Sequence, residues 1–353
     1  MGFQVSPGVN VSEIDLTTIV PAVSTTEAGF AAHLRWGPAE ERVLITSEDD
    51  LVADFQKPLT SNTATDFFVA SNFLAYGNAL FVTRVINTST SGGTALNSTV
   101  SNNAVASTVV KNDDDYDDNF SNGISGVGAW VAKYPGELGN SLKVSVCPSS
   151  NAFESTLTAN ITVTDGSTTV TGVTTEANGA GVAASAFSSE VKVGDLLVLG
   201  PDQFIGKVKS IANNSSLTLE SKYLGNTVSA FSSAASHNAS VATPTRRWEF
   251  FSNVDRAPTT SDFANTAGGS GDELHVVIAD EDGEWTGTKN TVLETFENLS
   301  VASDAKNEDG SVNYYKEVLN QQSRYIYWAA HDFKTNAGNK ASGTTFSGDP
   351  KPA

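Results

Sequence analysis

Two acidic runs are the first residues in this chain that could do chemistry. Asp113-Asp114-Asp115-Tyr116-Asp117-Asp118 has the carboxylate density of a calcium loop. In a register starting at Asp113, the sixth position is Asp118, where glycine must make the turn, and the twelfth is Ile124, where a bidentate glutamate must close the coordination shell. The run therefore reads as a solvated acidic loop. Asp280-Glu281-Asp282-Gly283-Glu284 is similarly dense, but Asp-Gly between two regular elements is foremost a turn. No metal and no other cofactor is expected at either run.

Nucleophiles and bases are sparse. The single cysteine, Cys147, follows the strand-like stretch 142–146 and precedes Pro148, with no histidine near it in sequence, the setting of a small buried thiol. His33 and His275 lie in apolar strands, where a hydrogen bond ordinarily satisfies the ring. With His237 and His331 they are too scattered to form a metal motif with Cys147. Gly126-Val127-Gly128 lacks the third glycine of a dinucleotide fingerprint, and Gly268-Gly269-Ser270-Gly271 lacks the lysine of a phosphate loop. Arg246-Arg247-Trp248 could stack on a base or sugar, yet two arginines in so acidic a chain fit pairing with carboxylates inside the fold or across an interface. Nothing here assembles a general acid and base with a nucleophile, so no catalytic residue is expected and the chain does not read as an enzyme. Carboxylate abundance is the only support for a hydrolase.

The 353 residues leave room for two or three domains and a sizeable core. Against 40 acidic residues stand 21 basic ones, a net charge of −19 that repels phosphate backbones and anionic head groups. Nucleic acid is therefore not expected as a partner. The N-terminus lacks a basic region followed by an apolar core, and no stretch approaches the roughly 18 to 20 continuous apolar residues of a membrane span. A soluble protein made in a reducing cytoplasm, with no membrane insertion, is expected.

Several elements are legible. TTEAGFAAHLRWG (25–37) reads as a strand ending at Gly37-Pro38, and VLIT (43–46) as a second. Ser47 can cap a short helix, SEDDLVADF, whose first-turn carboxylates suit the helix dipole. A second helix follows, with Thr63 and Asp66 as a capping box and Gly77 as a left-handed stop. Its Phe67, Phe68, Val69, Phe73, Leu74 and Tyr76 form a stripe wide enough to predict packing on more than one side. The β-rich ALFVTRVI then completes a mixed α/β layer over about 24–87. Residues 87–126 turn to Ser, Thr, Asn, Gly and Asp and read as a polar excursion.

From about 155 to 245 the pattern changes to short strands separated by Gly, Asp and Asn turns, beginning with an Asp165-Gly166 hairpin signal. This predicts a small all-β barrel or sandwich inserted in a loop. Its aromatics Phe187, Phe204, Tyr223 and Phe231 look more like core than a binding platform. After Trp248, LHVVIAD reads as a buried strand, TKNTVLETFENLS as a helix with Val292, Phe296 and Leu299 on one face, SVNYYKEVLNQQ as a second helix and RYIYWAA as a last strand. The stretch 331–353 holds almost nothing that could be core.

The opening MGFQVSPGVNVSEIDLTT poses a pairing problem. Pro7-Gly8 suits a type II turn, and Val9, Val11, Ile14 and Leu16 then carry an apolar strand whose phase slips near Ser12-Glu13, as a bulge would make it do. It either pairs within its own domain or reaches another chain.

SPGVNVSE, AGFAAHLRWGPAEERVLITSEDDLVADF, FFVASNFLAYGNALFVTRV and KYPGELGNSLKVSV, in this order, resemble the N-terminal half of tail sheath proteins of contractile-tailed bacteriophages. LHVVIADEDGEWTGTKNTVLETFENLSVASDAK and NYYKEVLNQQSRYIYWA resemble the next segment of that family. The resemblance covers about 1–87, 127–150 and 246–335. It implies subunits stacked as hexameric rings in a helical sleeve around a tail tube, contracting to drive the tube through the host envelope, without catalysis. It also implies that Val9, Val11, Ile14 and Leu16 form an inter-subunit arm donated to a neighbour's sheet, an instance of β-augmentation. The partners implied are neighbouring sheath subunits, and the tail tube and baseplate through a C-terminal domain expected to lie beyond this chain. The location implied is the virion tail, after assembly in the host cytoplasm.

The expected fold is thus α+β: an extended N-terminal arm (1–22), a discontinuous α/β sheath domain (23–154 plus 246–335, with the 87–126 excursion), an inserted β-domain (155–245), and a polar tail or start of a missing core domain (336–353). The alternative function is a virion surface binding or decoration protein that uses the inserted β-domain; an exposed aromatic cluster there is the discriminating feature.

Overall fold

A computed structural model describes residues 27–59, 61–87, 96–99, 108–173, 184–200, 203–229 and 243–348. The first layer contains β1 (Glu27–Ala32), β2 (Arg42–Ile45), α1 (Glu48–Phe55), α2 (Ser61–Leu74) and β3 (Ala79–Arg84). Central β3 runs parallel to β1 and antiparallel to β2. Ser47 caps α1 by accepting from Asp50 N at 3.1 Å. Leu51 and Phe55 of α1 and Phe67 and Ala70 of α2 bury against Ile45, Leu80 and Val82. Gly37, at φ +98°, lets the chain turn over Phe55, since a Cβ there would stand 2.6 Å from the ring.

Two details of α2 correct the reading. The helix starts at Ser61, and Thr63 and Asp66 do not form a capping box: Thr63 Oγ1 accepts from Leu59 N at 3.3 Å and Asp66 Oδ2 from His33 N at 2.7 Å. Gly77 closes the helix by donating to Phe73 O at 2.8 Å without a left-handed backbone.

The acidic run is a helix rather than a loop, α3 (Asp113–Asn119), capped by Asn112, which accepts from Asp115 N at 2.9 Å. Tyr116 explains the difference: it is buried and stacks on Tyr327 at 4.1 Å, so one apolar side chain anchors the helix. Next come β4 (Trp130–Ala132), β5 (Leu142–Cys147) and α4 (Ser150–Phe153).

Seven strands follow between residues 154 and 247: β6 (Glu154–Thr156), β7 (Ile161–Val163), β8 (Thr169–Gly172), β9 (Leu196–Leu199), β10 (Gln203–Asn213), β11 (Ser216–Leu219) and β12 (Thr245–Arg247), with a short α5 (Phe187–Glu190) after β8. Every pairing among them is antiparallel, in the order β6-β12-β9-β10-β11-β8-β7. Ile161, Val170, Phe187, Leu197, Val208 and Leu217 form part of a core that these strands share.

After α6 (Asp262–Thr266), β13 (Glu273–Asp280) lies between β5 and β14 (Thr291–Ser300), antiparallel to both. Being covered on both faces, all eight residues of β13 are buried. Leu274, Val276 and Ile278 join Trp130, Tyr315 and Trp328 on one face. Val277 and Ala279 join Phe153, Trp248 and Phe250 on the other. The expected helix over TKNTVLETFENLS is β14, a correction with a clear cause. Two bulges each place an extra residue opposite β13, so Leu293, Phe296 and Leu299 reach the same core at three-residue spacing while Val292 packs on the other face.

The remaining elements are α7 (Tyr315–Gln322), β15 (Ile326–Trp328), which pairs with β4, and the short pair β16 (Lys334–Thr335) and β17 (Ser347–Gly348). The stretch after 330 does contribute core: Phe333, Ala341 and Phe346 are buried in the cluster with Trp130 and Tyr315. These residues were invisible to periodicity because turns, rather than a regular element, bring them in.

Candidate functional site

The arm residues Val9, Val11, Ile14 and Leu16 lie outside the described residues. The layer that follows them shows contact surface of its own. In the three-stranded sheet β1 and β2 each pair only with β3 among the described residues, leaving two outer edges. One sheet face is covered by α1 and α2. On the other, Gly29 and Ala31 are exposed and Leu44, half-exposed, stands opposite Phe81. Parallel pairs such as β1 and β3 are ordinarily buried on both faces.

Helix α2 adds to this surface and corrects the expectation of packing on more than one side. Phe67 and Ala70 are buried, whereas Phe68 and Val69 are more than half exposed and Tyr76, just past the helix, is 95% exposed. The stripe is as wide as the sequence suggests, but its outer part is uncovered among the described residues.

Three buried polar groups tie the layers together. Arg84, on the last position of β3, donates Nε to Leu34 O at 2.9 Å, Nη1 to Gly37 O at 2.8 Å and Nη2 to Pro135 O at 2.7 Å. Burial lowers its pKa to about 10, which still leaves it charged at neutral pH. Asp280 accepts from Ser141 Oγ at 2.7 Å and from the backbone N–H groups of Gly283, Trp285 and Thr286 at 2.8–3.0 Å. Burial alone would raise its pKa, but these hydrogen bonds outweigh it and hold the carboxyl below the usual range. The acidic stretch 280–284 is therefore a turn organised by its first residue. Lys334 donates to Pro148 O at 2.6 Å and Glu273 O at 2.8 Å, and burial lowers it to about 8. No sequence signal marked Arg84 or Lys334, because backbone carbonyls brought together by the fold are their partners.

Arg246 is fully buried and donates to Ala152 O at 2.7 Å and Ser155 Oγ at 2.9 Å, with Asp195 at 3.8 Å. Burial pushes Asp195 up to about 6 in spite of that arginine. Arg247 pairs with Glu154 at 2.6 Å. Both arginines are thus engaged inside the fold. Cys147 is buried, its thiol pushed up by burial to about 12. His275 sits on β13, with Nδ1 accepting from Asn298 N at 3.0 Å and Nε2 against Arg256 O at 2.8 Å. His33, by contrast, is exposed and lies past the end of β1. Phe187 and Tyr223 are core, Phe204 is 58% exposed, and Phe231 lies outside the described residues. Among the described residues no group of three or more His, Cys, Asp or Glu side chains could hold a metal ion, and no helix is long and apolar enough to cross a membrane.

No protein-family model matches the chain. Over 129 residues it is 38% identical to the tail sheath protein of Vibrio phage KVP40, covering 36% of this chain and 18% of that protein. Over 153 residues it is 33% identical to the tail sheath protein of Salmonella phage ViI, covering 42% of this chain and 22% of the relative. Over 85 residues it is 41% identical to the tail sheath protein of Enterobacteria phage T4, covering 24% of this chain and 13% of the relative. The matches span about a fifth or less of the length of these curated relatives. Over these stretches the chain is thus similar to the tail sheath proteins of three bacteriophages.

Proposed function

We propose that the chain is a structural subunit of a phage contractile tail sheath, assembling as hexameric rings in a helical sleeve around the tail tube. Contraction of the sleeve would drive the tube through the host envelope, and the work would come from rearranged subunit contacts rather than from catalysis. The single observation that carries this reading is the identity to three tail sheath proteins. The uncovered outer part of α2 and the bare sheet face beside it supply apolar surface of the kind an assembly buries. In this reading Val9, Val11, Ile14 and Leu16 form a strand donated to a neighbouring subunit, where ladder hydrogen bonds tether subunits as rings move. Residues 155–245 form an inserted β-domain on the outer surface, as loop insertions ordinarily do. The partners are neighbouring copies, the tube and the baseplate, and the location is the virion tail after assembly in the host cytoplasm.

The test is immunogold electron microscopy of the particle with an antibody raised against this chain. Label along the tail exterior is expected; label confined to the head, or none on particles, overturns the proposal.

A second reading, surface binding through the β-rich segment, rests on one observation. Phe204 and Leu224, 58% and 83% exposed, line a shallow groove together with Gln203, Glu220 and Lys222. Loss of particle adsorption in a Phe204→Ala, Leu224→Ser variant with normal tails would favour it.

A further inference from the structure

Where the first layer meets the body, a cleft of about 390 Å³ opens. One wall is a chain of aromatic rings in edge-to-face contact: Tyr134 with Trp36 at 5.4 Å, Trp36 with Trp285 at 4.9 Å, and Trp285 with Tyr325 at 4.9 Å. Glu41 and Asp54 line the same cleft. The indole N–H of Trp285 is buried and has no acceptor among the described residues. We propose that this cleft binds a guanidinium or ammonium group carried on a peptide, the rings and carboxylates taking the cation.

Each part of the cleft suits one part of such a ligand. Aromatic faces attract a cation, more strongly as water is excluded. Burial, with Asp113 and Asp114 nearby, holds Glu41 above the usual carboxylate range, and burial does the same to Asp54 despite Arg324. Three carboxylates, of Glu41, Asp54 and Asp113, line the cleft against two cations, Lys133 and Arg324. Lys133 spends its ammonium on Ser323 O at 3.2 Å and on Asp113 at 3.5 Å. A chain with 40 acidic and 21 basic residues repels its own copies unless basic side chains meet acidic recesses, so a second copy is the first source to test.

The test is two-dimensional NMR of the indole N–H groups in the ¹⁵N-labelled chain, with the Trp285 resonance assigned through Trp285→Phe. Titration with N-acetyl-arginine amide is expected to move the Trp285 resonance saturably. N-acetyl-norvaline amide at matched ionic strength is expected to leave it in place. Glu41→Gln with Asp54→Asn, at exposed and half-buried positions, is expected to weaken binding at least about tenfold, roughly one charge-assisted contact. No saturable movement, an equal response to the norvaline compound, or unchanged affinity in the double variant would overturn the proposal. Sedimentation then separates the sources. Self-association that N-acetyl-arginine amide dissolves assigns the cation to a second copy; a chain that binds the compound and stays monomeric assigns it to a different polypeptide.

Discussion

The backbone N–H of Asn298 donates to Nδ1 of His275 at 3.0 Å, and it does so because Asn298 adopts φ +52° at a bulge in β14. With Nδ1 accepting, the ring proton sits on Nε2 and is donated to Arg256 O at 2.8 Å. A protonated ring cannot keep the Asn298 bond, and burial chiefly depresses the His275 pKa below its ordinary value. The unfolded chain thus takes up a proton first as pH falls. Stability held by neutral His275 is full above about pH 6.5 and falls as pH drops from there toward the folded-state pKa. His331, also depressed by burial, adds to the same window. His275→Gln is expected to cost about 1–3 kcal/mol at pH 8 and to narrow that gap toward pH 5. Urea midpoints at both pH values measure it; a gap that widens on acidification rules out the neutral ring.

Arg84 is the second target. Its fork satisfies the carbonyls of Leu34 and Gly37 in the first layer and of Pro135 outside it. Arg84→Met keeps the apolar stem and strands those carbonyls, for an expected loss of about 3–5 kcal/mol. Arg84→Lys recovers only part of this, because a single ammonium cannot span the fork. A Met variant whose chemical denaturation midpoint barely moves would show that water replaces the guanidinium.

These two residues also mark where sequence reading stops. The first layer and the strands between 154 and 247 were legible because alternation, turn residues and the Ser47 cap are local signals. Strand β14 was misread because its bulges turn a two-residue period into spacings of three, which imitate a helix. Helix α3 was misread because six carboxylates and asparagines surround the one side chain, Tyr116, that anchors it. Phe346, Arg84 and the Trp36–Trp285 contact join residues far apart in the chain, and no window of sequence contains such a pair. Of the candidate site, the apolar width of α2 was visible, but not which part of it the fold leaves bare.

Asp280 has an acid-side signature distinct from that of His275. Its carboxylate is held below its ordinary pKa by the bonds from Ser141, Thr286 and Trp285, which outweigh burial. The stability it contributes is present above about pH 3.8 and is lost as pH falls through the lower folded-state value. Asp280→Asn is expected to cost about 2 kcal/mol at neutral pH. It should also shift the Trp285 indole signal, because the turn that places this ring against Trp36 is loosened. An unchanged indole signal would separate the turn from the cleft.

The β-rich segment enters and leaves through neighbours. Thr156 pairs with Thr245 in the antiparallel register of β6 and β12, so their Cα atoms stand about 5 Å apart. Replacing residues 157–244 by a two-residue Asn-Gly turn is expected to close that ladder without strain. The remainder should melt cooperatively, with the near-ultraviolet signal of Trp248 retained. Arg246 loses Asp195 in this deletion but keeps Ala152 O and Ser155 Oγ. A broad transition without cooperativity would make the segment integral to the body.

Removal of residues 1–18 tests the proposal that Val9, Val11, Ile14 and Leu16 form a strand donated to a neighbouring copy. The deletion ends before β1 begins at Glu27, and the nearest described core, around Ala32, Leu34, Leu80 and Val82, lies beyond it. Melting of the described body is therefore expected to change by less than about 0.5 kcal/mol, the range of a substitution outside any core feature. Assembly should respond very differently. Eighteen extended residues reach about 60 Å, far enough to join an adjacent subunit, and a ladder of backbone bonds lost between copies cannot be replaced by side-chain contacts that must slide. Particles assembled with the shortened protein are expected to show tails with detached or irregular sheaths in negative stain. Regular sleeves on those particles would mean that copies are held together through the bare face of the first layer instead.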